Sequence, residues 1–503
     1  MKEYRYKIRR DECWWLGVSA EGIRMPVCSD SEYECDLLPD LSGNQTATAL
    51  LSNQGRYIYC SDGFKLKVGG GEITVISDSR VYSEEGFDTL KGAYLRMSGL
   101  YFKSDGKIPP SVFFSRPQFN TWIEYTYYIT QENVLAYAED IKKSGIGCGV
   151  LMIDCGWSTY YGSFKFNPYF PSPEKMINRL HGMGFKVMLW VCPFISADSI
   201  EFRELRDRDL LVKNADGTVA VRQWWDGFSS VLDLTNPAAQ EWLSEKLDFL
   251  MREYGADGFK FDAGDHFYYR DDDIIHNNGT AMDSSRAWAE FGLRYEYNEY
   301  RSSFNMGGKP LVQRLKDKSH SFGINGLASL VPSTLMQNLF GYYYTCPDMI
   351  GGGEYTSLKD GTHIDEELIV RYCQCSALMP MMQFSIAPWR VLSEANYERI
   401  LNAVKLHEKL YPYYLELVER TKTKAEPIVR LLEYDYPHSG YEKINNQFMI
   451  GDKYCCAPVI EKGVSVKEII LPEGNWAYDG KIYGGGKIAI NVDLNTVPVF
   501  EKV

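Results

Sequence analysis

From Phe119 to Tyr411, short apolar runs alternate with stretches of helical periodicity, and that alternation constrains the fold more than any other feature. The apolar runs are Phe119–Trp122, Gly149–Ile153, Lys186–Val191, Gly258–Asp262, Pro310–Arg314, Tyr342–Thr345 and Met379–Phe384. A further short strand is expected near His320–Gly323. The helical stretches between them are Gln131–Lys143, Pro173–Met183, Asn236–Tyr254, Asp283–Arg301, Gly326–Phe340, Asp365–Ala377 and Glu394–Tyr411. Several carry their own punctuation. A Lys-Lys-Ser-Gly stop follows the first, Gly184 ends the second and Asn236-Pro237 opens the third, the residue types that cap helices. Strands that alternate with helices pair in parallel, because each crossover must carry the chain back to its starting edge. Eight such repeats fit a (β/α)8 barrel better than an open sheet.

The flanks read differently. Residues 1–115 show apolar runs such as Ile73–Ile76 between turn clusters at Ser61-Asp62-Gly63, Gly69–Gly71 and Ser104-Asp105-Gly106, with almost no helical periodicity. Frequent turns between short strands indicate a sandwich. Residues 422–503 return to β-type alternation. The expected organisation is therefore an N-terminal β-sandwich over 1–115, a TIM barrel over 116–421 and a C-terminal β-domain over 422–503.

The net charge of −13 argues against nucleic acid or an anionic membrane as the main partner. The N-terminus lacks the apolar core of a signal peptide, and no run is long and apolar enough to span a bilayer. The 12 cysteines are scattered without the paired spacing of a zinc site. Free buried thiols in a reducing cytoplasm are the simplest reading, and no metal or other cofactor is expected.

In a barrel of this kind the chemistry sits at the C-terminal ends of the strands. Those ends carry Asp154 and Trp157, Trp190, Lys260 and Asp262, Arg314 followed by Asp317 and His320, Asp348, and Trp389-Arg390. Trp225 lies in the Trp-Trp-Asp-Gly loop ahead of the fourth strand. Charged groups that close apolar strands are costly unless they pair or bind something. Carboxylates and an arginine for hydroxyls, with tryptophans for the apolar ring face, describe a monosaccharide pocket. The competing bland reading is a set of structural ion pairs. Within Gly255–Asp265, strand alternation puts Lys260 and Asp262 on one face. The lysine is expected to hold the carboxylate ionised, as nucleophilic attack at an anomeric carbon requires. His266 and His320 are the loop histidines able to serve as bases.

In several of its segments the chain resembles the family 31 glycoside hydrolases, retaining α-glycosidases. The likeness rests on Phe119-Asn-Thr-Trp122, Leu151-Met-Ile-Asp-Cys-Gly-Trp157, Phe170-Pro-Ser-Pro-Glu174 with Leu180-His-Gly-Met-Gly184, Leu232–Pro237, Gly258-Phe-Lys-Phe-Asp262 and Pro347-Asp-Met-Ile-Gly351. The Lys-Phe-Asp and Pro-Asp-Met-Ile-Gly-Gly forms are most similar to the branch acting on α-galactosides. The resemblance implies Asp262 as nucleophile, Asp154 as a ligand of sugar hydroxyls, Arg314 as the arginine near the 2-position and Asp348 as the carboxylate after strand 7. It departs at the acid/base motif, His-Trp-Leu-Gly-Asp-Asn in the family and His320-Ser-Phe-Gly-Ile324-Asn325 here. Isoleucine transfers no proton, so Asp317 is the expected acid/base. The Arg-x-His pair of many family α-glucosidases is also missing, since Gln383-Phe-Ser-Ile-Ala-Pro-Trp-Arg390 stands there, which points to galactose over glucose. The expectation is a retaining exo-α-glycosidase acting on a glycoside or oligosaccharide. A carbohydrate-binding pseudoenzyme and a transglycosidase, α-glucosidase or lyase on the same scaffold stay open.

Overall fold

The computed structural model describes residues 1–39, 41–358 and 363–503. Eight short parallel strands carry the central part of the chain: β1 Gln118–Asn120, β2 Val150–Ile153, β3 Lys186–Val191, β4 Gly258–Phe261, β5 Tyr297–Tyr300, β6 Gln313–Arg314, β7 Thr345–Cys346 and β8 Gln383–Phe384. Their order in the sheet follows their order in the chain, with β8 beside β1, which is the order of a (β/α)8 barrel.

The helices stand where their caps place them. α1 (Gln131–Ser144) opens on a capping box between Thr130 and Asn133 and closes on Gly145 in the left-handed conformation. α2 (Pro173–Met183) has proline in its first turn and ends on left-handed Gly184. α3 (Pro237–Tyr254) begins where the Asn236 side chain accepts the Ala238 N–H and ends on left-handed Gly255. α4 (Ala281–Gly292), α5 (Leu330–Leu339), α6 (Glu366–Ala377) and α7 (Glu394–Arg420) complete the set that alternates with the strands.

Two compact units are present. One comprises Pro109–Phe304 and Phe384–Ile386 and contains β1 to β5, paired in parallel from Phe119 against Leu151 through Met188 against Gly258 to Lys260 against Glu299. Apart from Lys186 and Tyr297 at strand starts, their residues are buried, and β2 to β4 read as near-continuous apolar runs. The other comprises Met1–Ile108, Asn305–Gln383 and Ala387–Val503. It holds the β6–β7 pair and two antiparallel N-terminal sheets, one ordered Lys2–Lys7, Glu72–Ser77, Lys65–Gly69, Tyr33–Asp36. The second runs Val27–Cys28, Cys13–Val18, Gln45–Ser52, Tyr57–Cys60, Val81–Glu84. A C-terminal antiparallel sheet packs Met449, Ile469, Leu471, Trp476 and Phe500 into one core.

Four readings of the sequence are corrected. The eighth strand is not at His320–Gly323 but at Tyr297–Tyr300. The helix expected to run to Arg301 stops at Gly292, and the Tyr-rich stretch after it pairs as β5. The N-terminal region is not all β, because Leu90–Tyr101 is a helix whose N-cap Thr89 accepts the Gly92 N–H. Not every cysteine is free, because Cys13 and Cys28 face each other across antiparallel strands and form a disulfide.

Candidate active site

Each unit carries one cluster of charged strand-end side chains. In the first unit, Asp262 follows directly on β4, and Ala263 after it takes a left-handed φ of 55°. That turn stops the strand and aims the carboxylate. Oδ1 accepts the Ala263 N–H at 2.8 Å and Arg301 Nε–H at 3.0 Å, and Oδ2 accepts the indole N–H of Trp190 at 3.0 Å. The cation beside Asp262 is thus Arg301, at the end of β5, and the expected pairing with Lys260 is corrected. Lys260 instead reaches Asp154, Nζ to Oδ2 2.7 Å, with both side chains under 5% exposed. β2 and β4 are separated by β3 in the sheet, and side chains from alternate strands share a layer of a barrel interior. A lysine stem is long enough to cross that layer. Asp154 also accepts its neighbour's amide, Cys155 N to Oδ1 2.8 Å, and its own N–H donates to Thr121 Oγ1.

Arg301 has a second partner. Its two terminal nitrogens grip both oxygens of Asp265 at 2.8 and 2.6 Å, and the Asp265 side chain is 1% exposed. The guanidinium fork therefore spans two carboxylates, a planar match that lysine could not make. Among the tryptophans, Trp157 is buried with its indole N–H on the Trp190 carbonyl at 2.8 Å and its ring against Phe166. Trp190 is buried and turned to Asp262. Trp225 is 46% exposed at the tip of a hairpin built from Val221–Trp224 and Gly227–Val231, with the Arg301 guanidinium over its ring. Beside it, Asp226 accepts the Tyr161 hydroxyl, whose pKa burial drives upward.

In the second unit, Arg314 ends β6 and is buried. Its Nη1 donates to Asp317 Oδ1 and to Asp348 Oδ1, both at 2.8 Å. Asp317 keeps 38% of its side chain exposed, whereas Asp348 is fully buried. The second oxygen of Asp348 accepts the backbone N–H of Lys318 at 2.5 Å and of Gly353 at 2.7 Å. Asp348 thus ties the loop after β7 to the loop after β6. Burial, together with the Asp317 charge, pushes its carboxyl up to about 7 against the pull of Arg314. The loop is held from below as well. Gln45 Nε2 donates to the Arg314 carbonyl, Asn44 Oδ1 accepts the Lys316 N–H and Lys316 Nζ donates to the Ser42 carbonyl.

His320 is committed at both ring nitrogens. Nδ1 bonds the Gly351 carbonyl at 2.7 Å and Nε2 accepts the Asp365 N–H at 3.0 Å. An acceptor at Nε2 makes this ring the neutral tautomer, in line with the downward shift that burial causes. Ile324 stands on the surface, 67% exposed. Trp389 is half-buried in the short helix Pro388–Val391 that follows β8. His266 is buried against Phe304.

Sequence reasoning missed Arg301, which it read as the end of a helix, and the Tyr161–Asp226 contact, which joins two loops far apart in the chain. Tyr295, Tyr297 and Tyr300 after Gly292 were the available signal for β5, since aromatic residues favour strands. Among the described residues there is no group of three or more His, Cys, Asp or Glu placed to hold a metal ion. No described helix is long and apolar enough to cross a membrane.

Comparison with known proteins bears on this geometry. Residues 109–417 match the glycosyl hydrolases family 31 TIM-barrel domain, and residues 425–503 the family's C-terminal domain. The myogenesis-regulating glycosidase of Mus musculus is 34% identical over 414 residues, 80% of this chain and 58% of that protein. The sulfoquinovosidase of Escherichia coli K12 is 26% identical over 391 residues, 72% of this chain and 57% of that protein. The chain therefore spans under two thirds of either relative. In fold it is similar to a Flavobacterium johnsoniae dextranase solved with glucose, with a TM-score of 0.85 at 21% identity over 99% of this chain and 66% of that one.

Proposed function

The chain belongs to glycoside hydrolase family 31, and from that membership we propose that it is a retaining, exo-acting α-glycosidase that removes terminal α-linked sugars of galactoside type. The observation that carries this reading is the fixed carboxylate of Asp262. The donors that orient it include the Trp190 indole, the Ala263 amide and the guanidinium of Arg301. A carboxylate held in this way is suited to attack an anomeric carbon without reorganising first. In the proposed reaction an Asp262 oxygen bonds to the anomeric carbon as the glycosidic bond breaks, and Asp317 protonates the departing oxygen. Water then cleaves the glycosyl ester, with Asp317 taking its proton, and two inversions leave the α configuration. The exposed face of Asp317 supports that role, and Ile324 cannot perform it.

Asp154 and Arg314 are proposed to meet the sugar hydroxyls, with Trp190, Trp225 and Trp389 on its apolar face. Galactose is favoured by the resemblance of the Lys260-Phe-Asp262 and Pro347–Gly352 segments and by the missing Arg-x-His pair.

A 5-fluoro-α-galactosyl fluoride should label the protein, with the mass shift on the peptide containing Asp262. Asp262→Asn should lose turnover by several orders of magnitude. The first product of an aryl α-galactoside should be the α anomer by proton NMR. A label elsewhere, a β anomer, or a wild-type rate in Asp262→Asn each defeats the mechanism. Turnover of the fluoride with none of a natural disaccharide would mean that no residue serves as the acid.

A further inference from the structure

The loop after β6 holds more positive charge than it uses. Arg314, Lys316 and Lys318 stand there against Asp317 and Asp348. Arg314 is shared by the two carboxylates, Lys316 donates to the Ser42 carbonyl, and His320 is neutral. Lys318 remains. It is 4% exposed, and its ammonium forms no hydrogen bond or ion pair with any described residue. Its backbone is fixed at both ends. The N–H lies on Asp348 Oδ2, and the carbonyl accepts the Glu354 N–H at 3.0 Å.

A desolvated ammonium that makes no hydrogen bond is costly even with the Asp348 and Asp317 charges in its field, and proteins keep one where something arrives to pair with it. Burial brings its pKa down to about 8, so it is still mostly charged at neutral pH. If all five groups are ionised the loop carries one excess positive charge, and the upward shift of Asp348 enlarges that excess.

We propose that Lys318 receives an anionic group, a carboxylate or sulfonate, carried by the glycoside substrate, and so selects acidic over neutral glycosides. This rests on the glycosidase reading and narrows its substrate class. The anion sits either on the sugar ring or on the leaving group. Both are within the chemistry of a site whose neighbouring residue, Asp317, is proposed to act at the glycosidic oxygen.

Two matched pairs test it. 4-Nitrophenyl α-galacturonide against 4-nitrophenyl α-galactoside places the charge on the ring, and 4-carboxyphenyl against phenyl α-galactoside places it on the leaving group. Wild type should prefer the acidic member of one pair. In Lys318→Met the acidic-to-neutral ratio of kcat/KM should fall about ten- to hundredfold, the worth of a charge-assisted hydrogen bond, while Lys318→Arg keeps most of it. No preference in either pair for wild type, or an unchanged ratio in Lys318→Met, overturns the proposal. Binding of galacturonate against galactose, followed by calorimetry on wild type and both variants, gives the ring comparison without turnover. Absence of cleavage of all four glycosides combined with lysine-dependent galacturonate binding would reject the glycosidase reading and keep the anion site. Equal binding of both sugars by wild type, with no acidic preference in the leaving-group pair, would reject the site.

Discussion

Removing the Arg301 guanidinium should do more harm than removing one of its carboxylate partners. Arg301 is 12% exposed, and its bonds include one to Asp262 and two to Asp265. Arg301→Met keeps the stem and deletes the fork. Asp265, 1% exposed, is then a buried carboxylate stripped of its bidentate partner, and a pair broken on one side typically costs about 3–5 kcal/mol. Asp262 loses less, because Trp190 and Ala263 still donate to it. Most of the damage therefore belongs to Asp265, and Asp265→Asn placed on top of Arg301→Met should recover part of it. The double-mutant cycle should show a coupling of about 1.5–3 kcal/mol. Urea unfolding of the four proteins, followed by tryptophan fluorescence with the slope held common, measures this. If Arg301→Met costs under about 1 kcal/mol, or the two losses add within about 0.5 kcal/mol, the guanidinium is not the clamp described here.

Glu433 is fully buried, with Oε1 on the His438 N–H and Oε2 unpaired among the described residues, and burial pushes its carboxyl up to about 7. A raised folded-state pKa means that its stabilisation is complete below the ordinary carboxylate value and is lost as pH rises through about 7. Glu433→Gln should flatten the decline in thermal stability over that window, and a wild-type slope in the variant would contradict it. Gly264, at φ +68°, would place a Cβ 2.1 Å from the Trp288 ring. Gly264→Ala should therefore cost about 2–4 kcal/mol from overpacking and left-handed strain, and an unmoved unfolding midpoint would count against it. His320→Gln should leave every limb of the pH–rate profile in place, because the ring is neutral and bonded at both nitrogens. Loss of a limb would show that His320 titrates in the reaction.

Where local chemistry decides an element, the sequence was readable. The caps at Thr130, Gly184, Asn236 and Gly255 stand where helices begin and end, and seven apolar runs coincide with seven strands. The eighth was misplaced because Ala281–Gly292 is strongly helical and the polar, tyrosine-rich stretch after it lacks the continuous apolar run of its neighbours. Charged partners were legible as residue types but not as pairs. Lys260 and Asp262 are two apart in the chain, whereas the lysine's actual partner is Asp154, and Asp262 is bound by Arg301. Such choices depend on which strands lie across the barrel interior, which a linear pattern does not encode.

The two strand-end carboxylates share a local device with a consequence for mutational drift. Asp154 and Asp262 each take the amide N–H of the very next residue at 2.8 Å. That closure fits a carboxylate one methylene from the backbone, so side-chain length and direction are one requirement. In the genetic code a single nucleotide change turns an aspartate codon into one for glutamate or for asparagine. Glutamate keeps the charge and overshoots the amide, while asparagine keeps the reach and forfeits the charge. Neither of these chemically mild neighbours preserves both properties, so each position is isolated in sequence space even where the rest of its strand is free to change.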